Sequence, residues 1–408
     1  MTGTDPSIAR NTRLIRWLIC LMFFTFAMTT DAVGSVIPEI ITEFRLSMTA
    51  AGSFQYATMA GIAGGALLLG FLADRIGRKR TIVLGLALYG ASSLLFAVSH
   101  VFSAFVLLLG VAGLGISVFK TGALALIGDV SASTAHHTRF MNTVEGFFAV
   151  GAIIGPAIVA TLVTAGLSWK WLYVIAAAIC ITLMLIATRV RYPTMRAATE
   201  RATLSQMVGV MRDPLALGFS ALIMLYVAVE VAIYVWMPTY LKEYSGSFNW
   251  LPGYALTIFF ILRAVGRFVG AWLLGRLSWT VALMVVGFAI FLCFLGSLIG
   301  GVEAGAWLLP VSGLGMSIMY PTLNSKGISC FPKSQHGAAA GVILFFTALA
   351  AAIGPLAMAA VSDSYGTTRA GFTLATAFAG LLFAGLLANW LLNPAAERLQ
   401  SSDRLEYR

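Results

Sequence analysis

Long apolar runs separated by short polar segments dominate the sequence. Each run is about 20 residues long, which is the length that an α-helix needs to cross a bilayer. The runs lie at roughly 17–40, 50–73, 81–99, 102–128, 140–166 and 170–188, and then at 215–240, 251–275, 280–300, 305–329, 337–361 and 370–392. This pattern predicts an all-α membrane protein with twelve transmembrane helices. It also predicts an N-terminal half over residues 1–188, a polar cytoplasmic linker over 189–214 and a C-terminal half over 215–408.

The composition excludes a soluble globular domain. The 408 residues are 59% hydrophobic and 10% charged, with a mean hydropathy of +0.91, whereas a soluble domain has about 25% charged residues. The four cysteines lie in or beside apolar runs without paired spacing, so we expect buried small residues and neither disulfides nor a metal site. No catalytic motif, cofactor motif or metal-ligand cluster is evident, and we expect a protein that is not an enzyme.

The net charge of +10 follows from the distribution of cations along the chain. Most of the 26 Lys and Arg residues fall in segments that the twelve spans place on one side of the membrane. Such an excess marks the cytoplasmic side, so both termini are expected in the cytoplasm. The charge therefore indicates topology, and we expect no nucleic-acid partner.

The two halves of the chain repeat at a spacing of about 200 residues. Several short motifs recur at equivalent places: Gly113-Leu-Gly115 as Gly313-Leu-Gly315, Pro38 as Pro238, Gly70 as Gly270, and Gly155-Pro156 as Gly354-Pro355. Such matches indicate an internal duplication and predict two pseudo-symmetric six-helix halves. Repeats of this kind place substrate sites near the middle of the membrane.

The loop between the second and third runs has a distinctive order of charges. Gly70-Phe-Leu-Ala-Asp74-Arg75-Ile-Gly77-Arg78-Lys79-Arg80 resembles the loop 2–3 signature of the major facilitator superfamily. The resemblance implies a secondary transporter with twelve helices in two halves. It also implies that Asp74, Arg75, Gly77 and Arg78 act in gating, with Asp74 as a latch toward the C-terminal half.

Ionisable residues inside the runs carry the functional argument, because each costs a few kcal/mol at bilayer depth. The first half has Asp31, Lys120 and Glu145, and the second half has Glu230 and Arg263. The resemblance to the major facilitator superfamily implies that helices 1, 4, 5, 7, 8 and 10 face the cavity or act in gating. We therefore predict that Asp31 and Glu145 couple protons. The alternative is that the charges form buried ion pairs that only lock helices together.

A narrower resemblance suggests a substrate class. Gly313-Leu-Gly-Met-Ser-Ile-Met-Tyr-Pro-Thr322, Tyr226-Val-Ala-Val-Glu230 and Trp236-Met-Pro-Thr-Tyr240 are similar to segments of the fucose–galactose–gluconate proton symporters and sugar permeases. The resemblance implies proton-driven import of a small hydrophilic solute. The predicted substrate-binding residues are Lys120, Arg263, Tyr320, Glu230, Asn324, Tyr234 and Trp236.

The chain departs from that group in helix 4. Lys120 and Leu124 occupy the positions where the group commonly has an acid and an asparagine. A lysine at this depth favours an anionic substrate, such as a sugar acid or another organic acid. The prediction is thus a proton-coupled importer, without a cofactor, that acts as a monomer in the inner cell membrane. Two alternatives stay open: a proton-coupled efflux antiporter for drugs or amphipathic compounds, and a non-transporting receptor or scaffold.

Overall fold

The computed structural model describes residues 6–69, 72–130, 134–192, 204–332 and 335–400, and these residues form helices joined by short connections. In the first part of the chain the helices are α1 (Pro6–Thr30), α2 (Val33–Phe44), α3 (Met48–Ala51), α4 (Ser53–Leu69), α5 (Leu72–Arg75), α6 (Arg78–Leu95), α7 (Phe102–Val130), α8 (Thr134–Thr164) and α9 (Trp171–Arg189). α1 and α2 together form the first predicted span, and they are separated by a turn at Asp31 and Ala32.

The second part of the chain begins with a short helix in the predicted linker. Its helices are α10 (Leu204–Met211), α11 (Pro214–Val231), α12 (Met237–Tyr240), α13 (Leu251–Leu274), α14 (Trp279–Val311), α15 (Gly313–Ser329), α16 (His336–Tyr365) and α17 (Thr368–Leu392). A π-helix over Ala232–Trp236 joins α11 to α12. The rest of the predicted linker, residues 193–203, lies outside the described residues.

All twelve predicted runs are mainly helical where the structure describes them, and the fold is that of an all-α membrane protein. Nine helical segments of the described chain are long and apolar enough to cross a membrane. The remaining three runs correspond to α4, α6 and α15, which are shorter or more polar. α14 combines the ninth run with the start of the tenth, and Gly301, with φ of +72°, breaks it between them. A positive φ is accessible to glycine at little cost, which explains the residue at this turn.

The helices group into two compact units. One comprises Met1–Leu46 with Ser53–Ala198, and the other comprises Ser47–Gly52 with Thr199–Arg408. In the first unit, which we call the N-unit, α1 packs against α8 and α9, α4 against α7, and α6 against α7 and α9. In the second, the C-unit, α11 packs against α16 and α17, α13 against α15, and α14 against α15 and α17. Helices at equivalent places in the two halves of the sequence therefore pack against equivalent partners in each unit.

The closest helix crossings also recur in both units. A Cβ added to Gly155 of α8 would collide with the backbone of Met28 in α1, and one added to Gly354 of α16 would press on Ala228 in α11. Gly155 and Gly354 stand about 200 positions apart in the sequence, and so do Met28 and Ala228. Glycine is needed at such crossings because it lets two helix backbones approach closely.

α15 runs through Pro321 as a continuous helix. A membrane helix tolerates proline when neighbouring groups satisfy the freed carbonyl.

The four cysteines are free, and Cys20, Cys180 and Cys330 are buried, as expected.

Candidate functional site

Three charged side chains come together in the N-unit. Asp31 lies at the break between α1 and α2, Lys120 is carried by α7 and Glu145 by α8. The Lys120 ammonium interacts electrostatically with both acids, and the interaction with Glu145 is the stronger. The three residues therefore lie near enough to interact, and Asp31 stands where the helix is discontinuous.

Aromatic rings surround the same ammonium group. Lys120 Nζ lies 5.0 Å from the centre of the Phe26 ring and 5.7 Å from that of Phe23. Both distances fall within the range of cation–π attraction. Phe26 also packs edge-on against Phe148 of α8, with ring centres 5.5 Å apart. The cluster therefore combines one cation, two acids and an apolar aromatic wall. The two phenylalanines did not feature in the sequence prediction, because apolar rings are common throughout a membrane helix.

The C-unit contains a second ionisable cluster. Arg263 Nη2 of α13 lies 2.5 Å from Glu230 Oε1 of α11, and their side chains are 28% and 11% exposed. The hydroxyl of Tyr226, one helical turn before Glu230, lies 2.8 Å from the same carboxylate oxygen. It also lies 3.0 Å from the carbonyl oxygen of Met316 in α15. Tyr226 is a member of this cluster that the sequence prediction of the site did not include.

The backbone beside this cluster is irregular. The π-helix of Ala232–Trp236 begins two residues after Glu230, and Pro238 follows it without an N–H to donate. Single-turn π-bulges inside α-helices are rare and frequently lie at functional sites. The equivalent place in the N-unit, about 200 residues earlier, is the turn at Asp31 and Ala32. Each unit therefore carries an acid beside a distorted helix.

The remaining predicted substrate residues differ in accessibility. Tyr234, Tyr320 and Asn324 are partly buried, and Tyr234 interacts electrostatically with Tyr226. Trp236 is fully buried, and its Nε1–H donates to the carbonyl oxygen of Pro355 at 3.0 Å. This contact joins α16 to the π-helix. Trp236 thus packs helices together in this structure, and we leave it out of the proposed site.

The predicted gating loop is described only in part. The side chain of Asp74 lies outside the described residues, so the latch stays a prediction. Gly77 precedes α6 and has φ of +88°, a value that favours glycine. Arg75 is exposed. Arg78 is buried, and its Nε lies 2.9 Å from Asp129 Oδ2 of α7. This ion pair connects the start of α6 to the end of α7 within the N-unit.

Comparison with known proteins gives a consistent family. Residues 19–355 match the model of the Major Facilitator Superfamily. The 3-(3-hydroxy-phenyl)propionate transporter of Escherichia coli K12 is 28% identical over 98% of both chains. The L-fucose-proton symporter of the same organism is 23% identical and covers 86% of this chain and 87% of its own. The crystal structure of a mutant of the nucleoside transporter NupG superposes with a TM-score of 0.77 at 15% identity, over 92% of this chain and 99% of the other.

Proposed function

This chain belongs to the Major Facilitator Superfamily, it is a membrane transporter and not an enzyme, and we propose that it imports a small organic anion together with protons. The observation that carries the proposal is the Lys120 ammonium, which lies against two phenylalanine rings and interacts with Glu145 and Asp31. A cation at this depth fits a carboxylate, and the adjoining rings fit an apolar or aromatic body. An aryl carboxylate unites both features.

The relatives support this substrate class. The phenylpropionate named for one relative carries a carboxylate and an aromatic ring, and that relative matches this chain over nearly its whole length. The other relative is named as a proton symporter. A neutral sugar would leave the buried ammonium of Lys120 without a new counter-charge when its acids become protonated, and such an unpaired charge is costly.

The coupling follows from competition for Lys120. A proton that neutralises Glu145 or Asp31 weakens the hold of that acid on the ammonium, and the substrate carboxylate takes its place. When the acid loses its proton on the cytoplasmic side, it pairs with Lys120 again and the substrate is released. We further propose that the protein is a monomer in the inner cell membrane with both termini in the cytoplasm.

An efflux antiporter is the second candidate, since Gly151 and Gly155-Pro156 resemble an antiporter motif of the fifth helix. In this structure both glycines permit the close crossing with α1, where added Cβ atoms would meet the backbones of Phe24 and Met28. That packing role is sufficient to explain the glycines. The direction of proton-driven flux therefore distinguishes the two candidates.

The test uses radiolabelled 3-phenylpropionate and proteoliposomes with an imposed inward proton gradient. The wild-type protein is expected to accumulate the label, and Lys120→Ala should weaken binding by about 30-fold or more, which corresponds to about 2 kcal/mol for a lost partner of a buried charge. Lys120→Arg should keep the charge but not the activity, because a bulkier planar group does not move between the same partners.

The control is Lys242→Ala, which removes an exposed lysine and should leave uptake unchanged. All variants are checked for wild-type amounts of folded protein in the membrane. Transport by Lys120→Ala at wild-type affinity would refute the assignment of Lys120. Proton-driven expulsion of the label would instead support the antiporter.

A further inference from the structure

The protons of Tyr226 and Glu230 in the C-unit cluster can be arranged in two ways. A phenol has one proton to donate, yet the Tyr226 oxygen lies within hydrogen-bond distance of two acceptors, Glu230 Oε1 and the Met316 carbonyl oxygen. When Glu230 is a carboxylate, the phenol donates to it. When Glu230 is a carboxylic acid, its O–H donates to the phenol oxygen and the phenol proton turns to Met316. Both arrangements fit the same atomic positions.

The two arrangements have opposite effects on Arg263. The carboxylate holds the guanidinium at 2.5 Å, and the neutral acid holds it only weakly. A guanidinium that loses its counter-charge inside a protein is unfavourable, so an incoming carboxylate then gains affinity for it. Arg263 is 28% exposed and Glu230 11% exposed, which leaves the arginine as the more accessible of the two to a solute.

We propose that Tyr226, Glu230 and Arg263 form a second proton-gated anion site, in which protonation of Glu230 releases Arg263 to bind the carboxylate of the transported anion. One proton from solution joins Glu230 as the anion arrives, and the same proton leaves when Arg263 recaptures the acid. Glu230 then carries a proton and does not contact the substrate directly. The nature of the anion rests on the proposed function above, whereas the proton site does not.

Arg263 contacts Glu230 directly, and further ionisable residues lie on the surrounding helices. Arg263 of α13 and Tyr234 of the π-helix interact electrostatically with the Tyr226–Glu230 pair. On α15, Tyr320 stands one turn from Met316, and Lys326 stands ten residues from it, about 15 Å along the helix. α10 has no ionisable residue. Asp363 lies near the C-terminal end of α16, and Arg369 lies near the N-terminal end of α17. Asp363 is about 13 Å along α16 from Gly354, the residue that crosses Ala228 of α11.

The local backbone allows the cluster to rearrange. The π-helix begins two residues after Glu230, and π-turns of this kind are frequent at functional sites. A small rotation of α11 relative to the segment after Trp236 is therefore accommodated where the regular hydrogen-bond pattern is already interrupted. When Glu230 takes up a proton, the Tyr226 hydroxyl changes its acceptor to the Met316 carbonyl oxygen, and this change needs no repacking of side chains.

The first experiment detects the proton directly and needs no substrate. pH-difference infrared spectra of the purified full-length protein in lipid nanodiscs report the C=O stretch of protonated carboxyl groups. On acidification the wild-type protein should gain such a band, and Glu230→Gln should lack the part of the band that Glu230 contributes. Tyr226→Phe should keep the band but shift its frequency, because the acid loses its hydrogen-bond partner. A spectrum unchanged by both Glu230→Gln and Tyr226→Phe overturns the proposal.

The second experiment measures binding of 3-phenylpropionate to the same samples. Wild-type affinity should rise by about tenfold or more toward acid pH, within the usual range of coupling between two sites. Glu230→Gln, which mimics the neutral acid, should lose the part of this pH dependence that arises in the C-unit, and Arg263→Gln should bind much more weakly. Glu243→Gln makes the same chemical change at an exposed position and should behave as wild type.

The outcomes separate this inference from the proposed function. Binding by Glu230→Gln that stays as pH-dependent as in the wild type overturns the second site. If Glu145→Gln alone abolishes the pH dependence, the coupling proton belongs to the N-unit and the inference is also overturned. A wild-type protein that binds no 3-phenylpropionate at any pH contradicts the proposed substrate class, and the infrared band still decides whether Glu230 takes up a proton.

Discussion

Arg78 and Asp129 form an ion pair that is almost fully enclosed, with side chains 7% and 5% exposed. A charge left alone in such surroundings is strongly unfavourable, because neither water nor a counter-ion compensates it. The pair joins α6 to α7 within the N-unit, so its partners depend on each other. The stability of the N-unit therefore depends on Arg78.

We expect Asp129→Asn to lower the free energy of unfolding by about 3–5 kcal/mol, the usual cost of breaking a buried pair. The double variant Arg78→Gln/Asp129→Asn should recover part of this loss, since no unpaired charge remains. Thermal unfolding in detergent measures both. Arg80→Gln, at an exposed position of the same helix, is the matched control. A double variant less stable than the sum of the two single changes would contradict the argument.

At the level of single residues, the sequence predicted which charges would matter but not all of their partners. The position of Lys120 and Glu145 inside apolar runs indicated that each charge needs a partner, and the resemblance to the superfamily implied that their helices face the same cavity. Phe26 and Tyr226 gave no such signal. Aromatic residues suit both lipid and protein interiors, so their position in the sequence does not show which of them faces a charged group.

At the level of elements, α11 begins with a well-defined cap. Asp213 Oδ1 accepts from the backbone N–H of Leu215 at 2.9 Å and of Ala216 at 3.4 Å, and Asp213 Oδ2 lies 2.6 Å from Arg398 Nη1. Pro214 occupies the first helical position, where its missing N–H has no cost. Burial acts to raise the pKa of Asp213, but the hydrogen bonds from Arg398 and from the two backbone N–H groups lower it overall.

Asp213→Ala should therefore reduce the free energy of unfolding by about 1–2 kcal/mol, as other lost caps do. A lowered pKa means that the contribution is present above the pKa of the unfolded chain and disappears as pH falls through the folded value. The difference from wild type should thus shrink below about pH 4. Melting temperatures at neutral and acid pH test this. Ser278→Ala, which removes the neutral cap of α14, should cost stability without that pH dependence.

The boundaries of the helices were mostly predictable, but their irregularities were not. Runs of apolar residues predict a span because the length of the hydrocarbon core fixes it. The turn at Asp31 and Ala32 and the π-helix at Ala232–Trp236 interrupt predicted runs, whereas the break at Gly301 lies in the predicted gap between the ninth and tenth runs.

At the level of the whole molecule, the repeated sequence motifs correspond to repeated packing. The Gly155–Met28 and Gly354–Ala228 crossings, and the same order of helix pairs in each unit, agree with the internal duplication that the sequence predicted. The ionisable residues do not repeat so closely. Lys120 of the N-unit corresponds to Tyr320, and the cation of the C-unit is Arg263 on a different helix. The scaffold is thus symmetric, whereas the two charged clusters are not.

The presence of an acid–base cluster in each unit has an electrical consequence. If each cluster carries one proton in a cycle that moves one monovalent anion, each turnover brings one net positive charge into the cell. A membrane potential of about 100 mV then adds about 2.3 kcal/mol to the driving force, or roughly a 50-fold increase in the attainable concentration ratio. Current and uptake recorded together on supported membranes should show one charge per anion in the wild type. In Glu230→Gln the current should fall while uptake under a pH gradient continues, so that this variant concentrates its substrate without responding to voltage.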